Sequence, residues 1–195
     1  MDKISYALGL SMAMNFKATG MAELSLERVN EGIEDAYRGE KSEMDLDEAR
    51  QIMSNYFAKL QLEADQKNKE AGLKFLEENK KKEGVQVTAS GLQYQVLTMG
   101  EGDKPKATST VRCHYEGCLI DGSIFDSSYK RNQPADFPVN QVIPGWTEAL
   151  QLMPVGSKWR LFIPSELGYG EHGAGDMIAP NSVLIFDVEL LDIVK

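Results

Sequence analysis

The first 84 residues contain no proline, and the 195-residue chain carries only two cysteines and two histidines. With no CxxC or HxxxH spacing among Cys113, Cys118, His114 and His172, a metal site has no convincing ligand set. Cys113 and Cys118 stand five positions apart on one expected strand, an odd offset that turns them to opposite faces, so no disulfide is expected between them. A surplus of positive charge is also missing. With 30 acidic against 21 basic residues the formal charge is −9, which argues against nucleic acid or an anionic membrane as the main partner. The one basic run, Lys80, Lys81 and Lys82, is flanked by Glu77, Glu78 and Glu83 and reads as a solvated helix end. No stretch approaches the roughly 18 apolar residues that cross a bilayer. The opening Met1-Asp2-Lys3 lacks the features of a signal peptide, so the expected location is cytoplasmic, with the periplasm as alternative if an export signal has been removed. Phosphate loops, GxSxG elbows and HExxH motifs are absent, and acyl or phosphoryl transfer has no support.

What is present divides into two halves. A hydrophobic content of 42% suffices for a real core. Before Gly84 the pattern is helical; all seven prolines and most glycines come after it, which sets the expected boundary. Residues 6–16 are apolar nearly all the way round a helix, more than one small neighbour could cover. A second helix is expected from the Ser25 N-cap through Leu26, Val29, Ile33 and Tyr37 to a stop at Gly39. A third starts at Asp45, with Glu48 as capping-box partner, and meets no breaker until Gly84, Gly72 being its one soft spot. At about 1.5 Å per residue this is a rod of roughly 55 Å. Ala49, Ile52, Met53, Tyr56 and Leu60 form an apolar stripe on it, whereas residues 61–70 are polar on nearly all sides, as in a spacer bridging solvent. The expectation is a homodimer through helices one and two and the start of helix three, because a two-fold contact hides the same apolar patch on both copies.

After Gly84 the period changes to two. Strands are expected over 93–99, 110–119, 136–139, 158–163 and 183–193, with Asp121-Gly122 as a hairpin turn. One short helix fits among them: Trp146, Ala149 and Leu150 have i, i+3, i+4 spacing behind Pro144-Gly145. The expected class is α+β, an antiparallel sheet curled around one helix and preceded by an all-helical unit.

The residues left to carry chemistry are aromatics at strand ends and loops, among them Tyr115, Phe125, Phe137, Trp146, Trp159, Tyr169 and Phe186. Each alone is more often core than site. Phe125-Asp126 places a carboxylate directly after an aromatic, just beyond a turn. In Val142-Ile143-Pro144-Gly145-Trp146 the irregular link into the helix can leave the Ile143 N–H without a ladder partner, beside an indole. Gly168-Tyr169-Gly170 and residues 173–176 make a Gly-rich loop of the kind that borders binding sites.

At these residues the sequence resembles the FKBP-type peptidyl-prolyl isomerases. The matching elements are VRCHYEG at 111–117, DGSIFDSS at 121–128, VIPGW at 142–146, LGYG at 167–170 and VLIFDVELL at 183–191, all in family order. With KEGV at 82–85 and SGLQY at 90–94, the helical first half is similar to the Mip/FkpA/FklB branch, whose members are dimers with long connecting helices. The resemblance implies a helical dimerisation domain over 1–44, a connecting helix over 45–84 and an isomerase domain over 85–195. It implies that Tyr115, Asp126, Ile143 and Tyr169 act on the substrate, with the Ile143 N–H and Tyr169 hydroxyl as donors to its carbonyls. Phe125, Phe137, Val142, Trp146, Met177, Ile178 and Phe186 would bind it, Trp146 as the floor. Neither cofactor nor metal is implied. Partners would be proline-containing polypeptides, a second copy of the chain and macrolides of the rapamycin type. Ala135 stands where small family members often have an aromatic and Ala174 where a loop histidine is sometimes found, which bears on substrate preference and macrolide affinity.

Such a pocket needs no nucleophile. Resonance holds the amide planar behind a barrier of roughly 18–20 kcal/mol, and the twisted amide is less charge-separated than the planar one. An aromatic-lined site therefore disfavours the ground state relative to the transition state. Bringing tens of seconds down to milliseconds asks for about 10⁴-fold, or roughly 5.5 kcal/mol. Two other readings remain open from the residues: a module that holds proline-containing chains as a chaperone, and an assembly protein using the helical half alone.

Overall fold

The computed structural model describes residues 2–21, 23–39 and 42–194. Met1, Ala22, Glu40 and Lys41 of the expected dimerisation domain, and the final Lys195, lie outside the described residues. The chain divides into two compact units, Met1–Glu63 and Ala64–Lys195.

In the first unit each helix starts where a side chain satisfies its free N–H groups. Helix α1 (Lys3–Ala18) is capped by the Asp2 carboxylate, which accepts from the Ile4 and Ser5 amides. Helix α2 (Leu26–Arg38) is capped by the Ser25 hydroxyl and ends at Gly39, whose φ of 69° lies in the left-handed region that glycine tolerates. Helix α3 (Leu46–Asn79) opens on Asp45, whose carboxylate accepts from the Asp47 and Glu48 amides. No described residue of α1 or α2 is buried. Ile4, Tyr6, Leu8, Leu10 and Met14 are each more than half exposed.

The second unit is built on an antiparallel sheet of β1 (Val85–Val87), β2 (Gln93–Thr98), β3 (Thr110–Cys118), β4 (Ile124–Ser127), β5 (Ala135–Pro138), β6 (Lys158–Ile163) and β7 (Leu184–Val194). The order is β1-β2-β6-β7-β3-β4, with β5 paired to β3. Alternation decides which side each residue faces. Trp159, Leu161 and Ile163 of β6, and Leu184, Phe186, Val188 and Leu190 of β7, turn to one side and form a single core with Trp146, Ala149 and Leu150 of helix α4 (Pro144–Leu152). Most of these are wholly inaccessible, and each large apolar side chain so buried is worth about 1.5–3 kcal/mol. The helix begins with Pro at its first position, as Pro144 requires no partner for an N–H it lacks.

Phe162 and Ile185, one step out of phase, face the other side of the sheet, where they pack with Leu76, Phe75 and Val183. Expected as a connecting helix with a solvent-bridging middle over 61–70, α3 covers the second face of the sheet with its last turns. Gly72 is not a soft spot but a point of close approach: a Cβ there would lie 2.9 Å from Val183 Cγ2. The helix ends at Asn79, short of the expected Gly84, because Lys80 to Lys82 turn the chain into β1. The Asn79 side chain is buried and donates to Gln93 Oε1 at 3.0 Å, while Gln93 Nε2 returns a bond to the Leu76 carbonyl. Strands β1 and β4 were not expected. The first has three residues and the second four beside a register shift, too short and irregular to show a period. The Asp121-Gly122 turn does join β3 to β4, with Gly122 at φ 86° donating to the Leu119 carbonyl.

Candidate active site

A cavity of about 470 Å³, within the range of small-ligand sites, opens on the α4 side of the sheet. It is lined by Tyr115, Phe125, Asp126, Phe137, Gln141, Val142, Ile143, Trp146, Tyr169 and Phe186. Each comes from a different constraint of the fold. Tyr115 and Phe186 lie on the inward phase of β3 and β7, in register with Val188 and Gly117. Gly117 has no side chain because the Phe125 and Phe186 rings occupy that space, within 2.6 Å of where a Cβ would stand. Phe125 and Asp126 come from β4, and Phe137 from β5.

Trp146 enters from the first turn of α4 and is 4% exposed. Three rings meet it nearly edge to face: Tyr115 at 5.4 Å and 86°, Phe137 at 5.4 Å and 74°, Phe186 at 5.3 Å and 83°. Such contacts suit the ring quadrupole and leave little rotational freedom to the indole. It lines the cavity rather than being sealed beneath it. The Ile143 carbonyl accepts from the Trp146 and Thr147 amides, whereas the Ile143 N–H has no hydrogen bond among the described residues. Tyr169 is 41% exposed at the opening.

The polar edge is a triangle. The Tyr115 hydroxyl donates to Asp126 Oδ2 at 2.6 Å, Arg131 Nη2 donates to the Tyr115 hydroxyl at 2.8 Å, and Arg131 Nη1 bonds Asp126 Oδ1. Burial by itself would raise the Asp126 pKa. The Tyr115 and Arg131 hydrogen bonds and the Arg131 charge outweigh it and hold the carboxyl below its ordinary value. Burial, and then the bond to Asp126, pushes the Tyr115 phenol up. Both shifts leave the proton on the tyrosine and the charge on the aspartate. Cys113, in the core nearby, is pushed up to about 12 by burial and is no nucleophile at neutral pH.

Nine of the eleven expected site residues border the cavity. Met177 and Ile178 do not. Two backbone hydrogen bonds between Ala174 and Ile178 close a tight turn, which sends Ile178 into the core and leaves Met177 half exposed. Arg131 and Gln141 were not anticipated. The turn at 129–133, with Asn132 at φ 52°, brings Arg131 back to the carboxylate, and the available signal was a cation within one short turn of Asp126. Ala135 belongs to an adjoining groove with Arg112, Arg131, Gln133, Pro134 and Asp136.

Among the described residues no group of three or more His, Cys, Asp or Glu is placed to hold a metal, and no helix is long and apolar enough to cross a membrane. Residues 101–191 match the family model described as FKBP-type peptidyl-prolyl cis-trans isomerase, and residues 1–96 the one described as the domain amino terminal to it. The chain is 48% identical over 192 residues to the FKBP-type 22 kDa peptidyl-prolyl cis-trans isomerase of Escherichia coli K12, with 97% of this chain and 93% of that one covered. It is 49% identical over 207 residues to FkpA of Aeromonas hydrophila, covering 100% and 76%. The crystal structure of FkpA from Escherichia coli superposes with a TM-score of 0.81 at 37% identity, covering 98% of this chain and 95% of that one. With likeness extending over both halves and a Trp-floored aromatic cavity at the family's motifs, the chain belongs to the FKBP-type peptidyl-prolyl cis-trans isomerases.

Proposed function

We propose that X-Pro bonds isomerise in the Trp146-floored cavity, with the prolyl ring among Tyr115, Phe125, Phe137, Val142, Trp146 and Phe186. The observation that carries this reading is the open aromatic cavity with an unbonded N–H, from Ile143, at one edge and an ionised carboxylate, Asp126, at the other. The Ile143 N–H receives a substrate carbonyl; the Tyr169 hydroxyl, exposed at the opening, receives another. Asp126, held by Tyr115 and Arg131, orients and stabilises the twisting imide by its field. It is not a general base, since no proton leaves the substrate. Removal from water weakens the amide's charge-separated ground state, and the walls supply that removal. Met177, outside the cavity in the free protein, is a contact for the flanking residues of a longer chain, and Ile178 supports it from the core. A macrolide of the rapamycin type is accommodated through the same edge groups.

By role, residues 1–44 serve dimerisation, 45–84 connection and 85–195 catalysis. A second reading, holding of unfolded chains as a chaperone, is favoured by the apolar residues that α1 and α2 leave exposed on the single chain. The same residues favour a homodimer, an interface taking the place of solvent. The location proposed is cytoplasmic, the periplasm being the alternative; two free cysteines, Cys113 and Cys118, suit a reducing compartment.

The deciding experiment is proline-limited refolding and peptide isomerisation by Asp126→Ala and Tyr169→Phe. Loss of one hydrogen bond of about 0.5–1.5 kcal/mol predicts a slowing of roughly twofold to tenfold for Tyr169→Phe, and more for the charged Asp126, with unchanged circular dichroism. Full activity in both variants would refute these roles. Addition of a macrolide of the rapamycin type is expected to abolish the wild-type acceleration.

A further inference from the structure

Asn68, Gly72 and Leu76 share one face of α3, spaced i, i+4, i+8. Gly72 and Leu76 bring that face against the sheet unit at Val183. Asn68, half-buried one turn earlier, does something more specific. Its Nδ2 donates to the Pro180 carbonyl at 2.5 Å and to Ser182 Oγ at 3.0 Å. A carbonyl can only accept, so the amide nitrogen, not its oxygen, must face Pro180. Ser182 uses its own proton on the Ala179 carbonyl at 2.7 Å, so its hydroxyl both accepts from Asn68 and donates onward.

The knot closes the loop that begins at the active site. Between Pro180 and Ser182, Asn181 adopts φ 60°, and its N–H donates to the Gly170 carbonyl at 2.9 Å. Gly170 follows Tyr169. The Ala174–Ile178 backbone pair orders the middle of this loop, and what its ends are fixed to decides where that turn and Tyr169 stand beside the site. Helix α3 therefore fixes one end directly and the other through Asn181. A helix that served only to span solvent would have no need of a donor at this point.

We propose that Asn68 is a positioning residue for the isomerase reaction: through Pro180 and Ser182 it holds the end of the 169–183 loop, and so keeps Tyr169 at the cavity opening. The proposal rests on the role assigned to Tyr169 above.

The test uses the full chain. Asn68→Ala, Asn68→Asp, which keeps the shape but removes the donor, and Ser182→Ala, which reaches the same knot from the loop, are each made in the wild-type and Tyr169→Phe backgrounds. Expected for Asn68→Ala and Asn68→Asp is a loss of about threefold to tenfold in kcat/KM toward a proline peptide, with faster exchange of the Asn181 amide. Ser182→Ala should change both in the same direction. In the Tyr169→Phe background the loss should shrink below about twofold, because residues acting as a unit are not additive. Equal losses in both backgrounds, unchanged kcat/KM, or unchanged exchange at Asn181 overturns the proposal. Failure of the Tyr169 assignment reads separately, as full activity of Tyr169→Phe alone.

Discussion

At Asp126 two opposing effects meet, and the outcome has a sign that can be measured. Burial favours the neutral acid; the Tyr115 hydroxyl and the Arg131 guanidinium favour the anion and win. A carboxyl whose folded pKa is depressed contributes stability that is present above its unfolded value near 3.9 and is lost as pH falls through the folded value. If catalysis needs the charge, isomerisation should hold level from neutral pH down past about 4 and fall only below that. Replacing Arg131 with Leu removes both a hydrogen bond and the neighbouring charge and leaves burial opposed only by the Tyr115 hydroxyl and the Ser127 backbone N–H. The acid limb of the pH–rate profile should then move to higher pH, with circular dichroism at each pH separating this from unfolding. An acid limb that stays in place would mean that Arg131 does not set the ionisation of Asp126. The wild-type pairing of Tyr115 and Asp126 was foreseeable from neither residue alone, since they lie 11 positions apart on different strands and only the β3–β4 hairpin joins them.

Among the elements, the long strands and helices α2, α3 and α4 were legible in sequence from period, caps and stops, and α1 from a run apolar nearly all the way round. Strand β6 occupies the expected 158–163, β2 and β3 end one residue earlier than expected, and β7 is shifted by one residue at both ends. Strand β5, four residues at 135–138, was expected one residue later, whereas β1 has only three residues and β4 lies beside a register shift, and both escaped. The loop 168–183 was legible as glycine-rich but not as a structure. Its order comes from the backbone pair between Ala174 and Ile178 and from Gly173, whose φ of 64° and ψ of −161° are open to glycine alone. A Cβ on Gly173 would stand 2.1 Å from the Ile178 carbonyl oxygen, a backbone atom that cannot swing aside. Gly173→Ala should therefore cost about 1–3 kcal/mol in urea denaturation and displace Met177 and Tyr169 together, with a loss of isomerase activity larger than that of Tyr169→Phe. Wild-type midpoint and activity in this variant would show the loop to be less constrained than its backbone implies.

On the scale of the whole molecule, α1 is apolar nearly all the way round and unsatisfied, with Tyr6, Leu8 and Leu10 all more than half exposed on one chain. A proposed two-fold contact removes it from water. Sedimentation at micromolar concentration should give a dimer, and Leu8→Asp should give a monomer. Peptide isomerisation by that monomer should stay within about twofold of wild type, while suppression of aggregation by the chain should fall, since only the latter draws on paired units. A stable wild-type monomer would remove the basis for the dimer. Sequence alone determined the order of the helices and the longer strands, the α+β class and most of the cavity wall, because periodicity and short ordered motifs are local properties of the chain. Only tertiary structure decided that Arg131 completes the polar edge, that Ile178 turns into the core, and that the last turns of α3 serve the sheet. Each of these depends on atoms brought together from distant positions, and spacing along a chain carries no record of which side chains share the space that folding encloses.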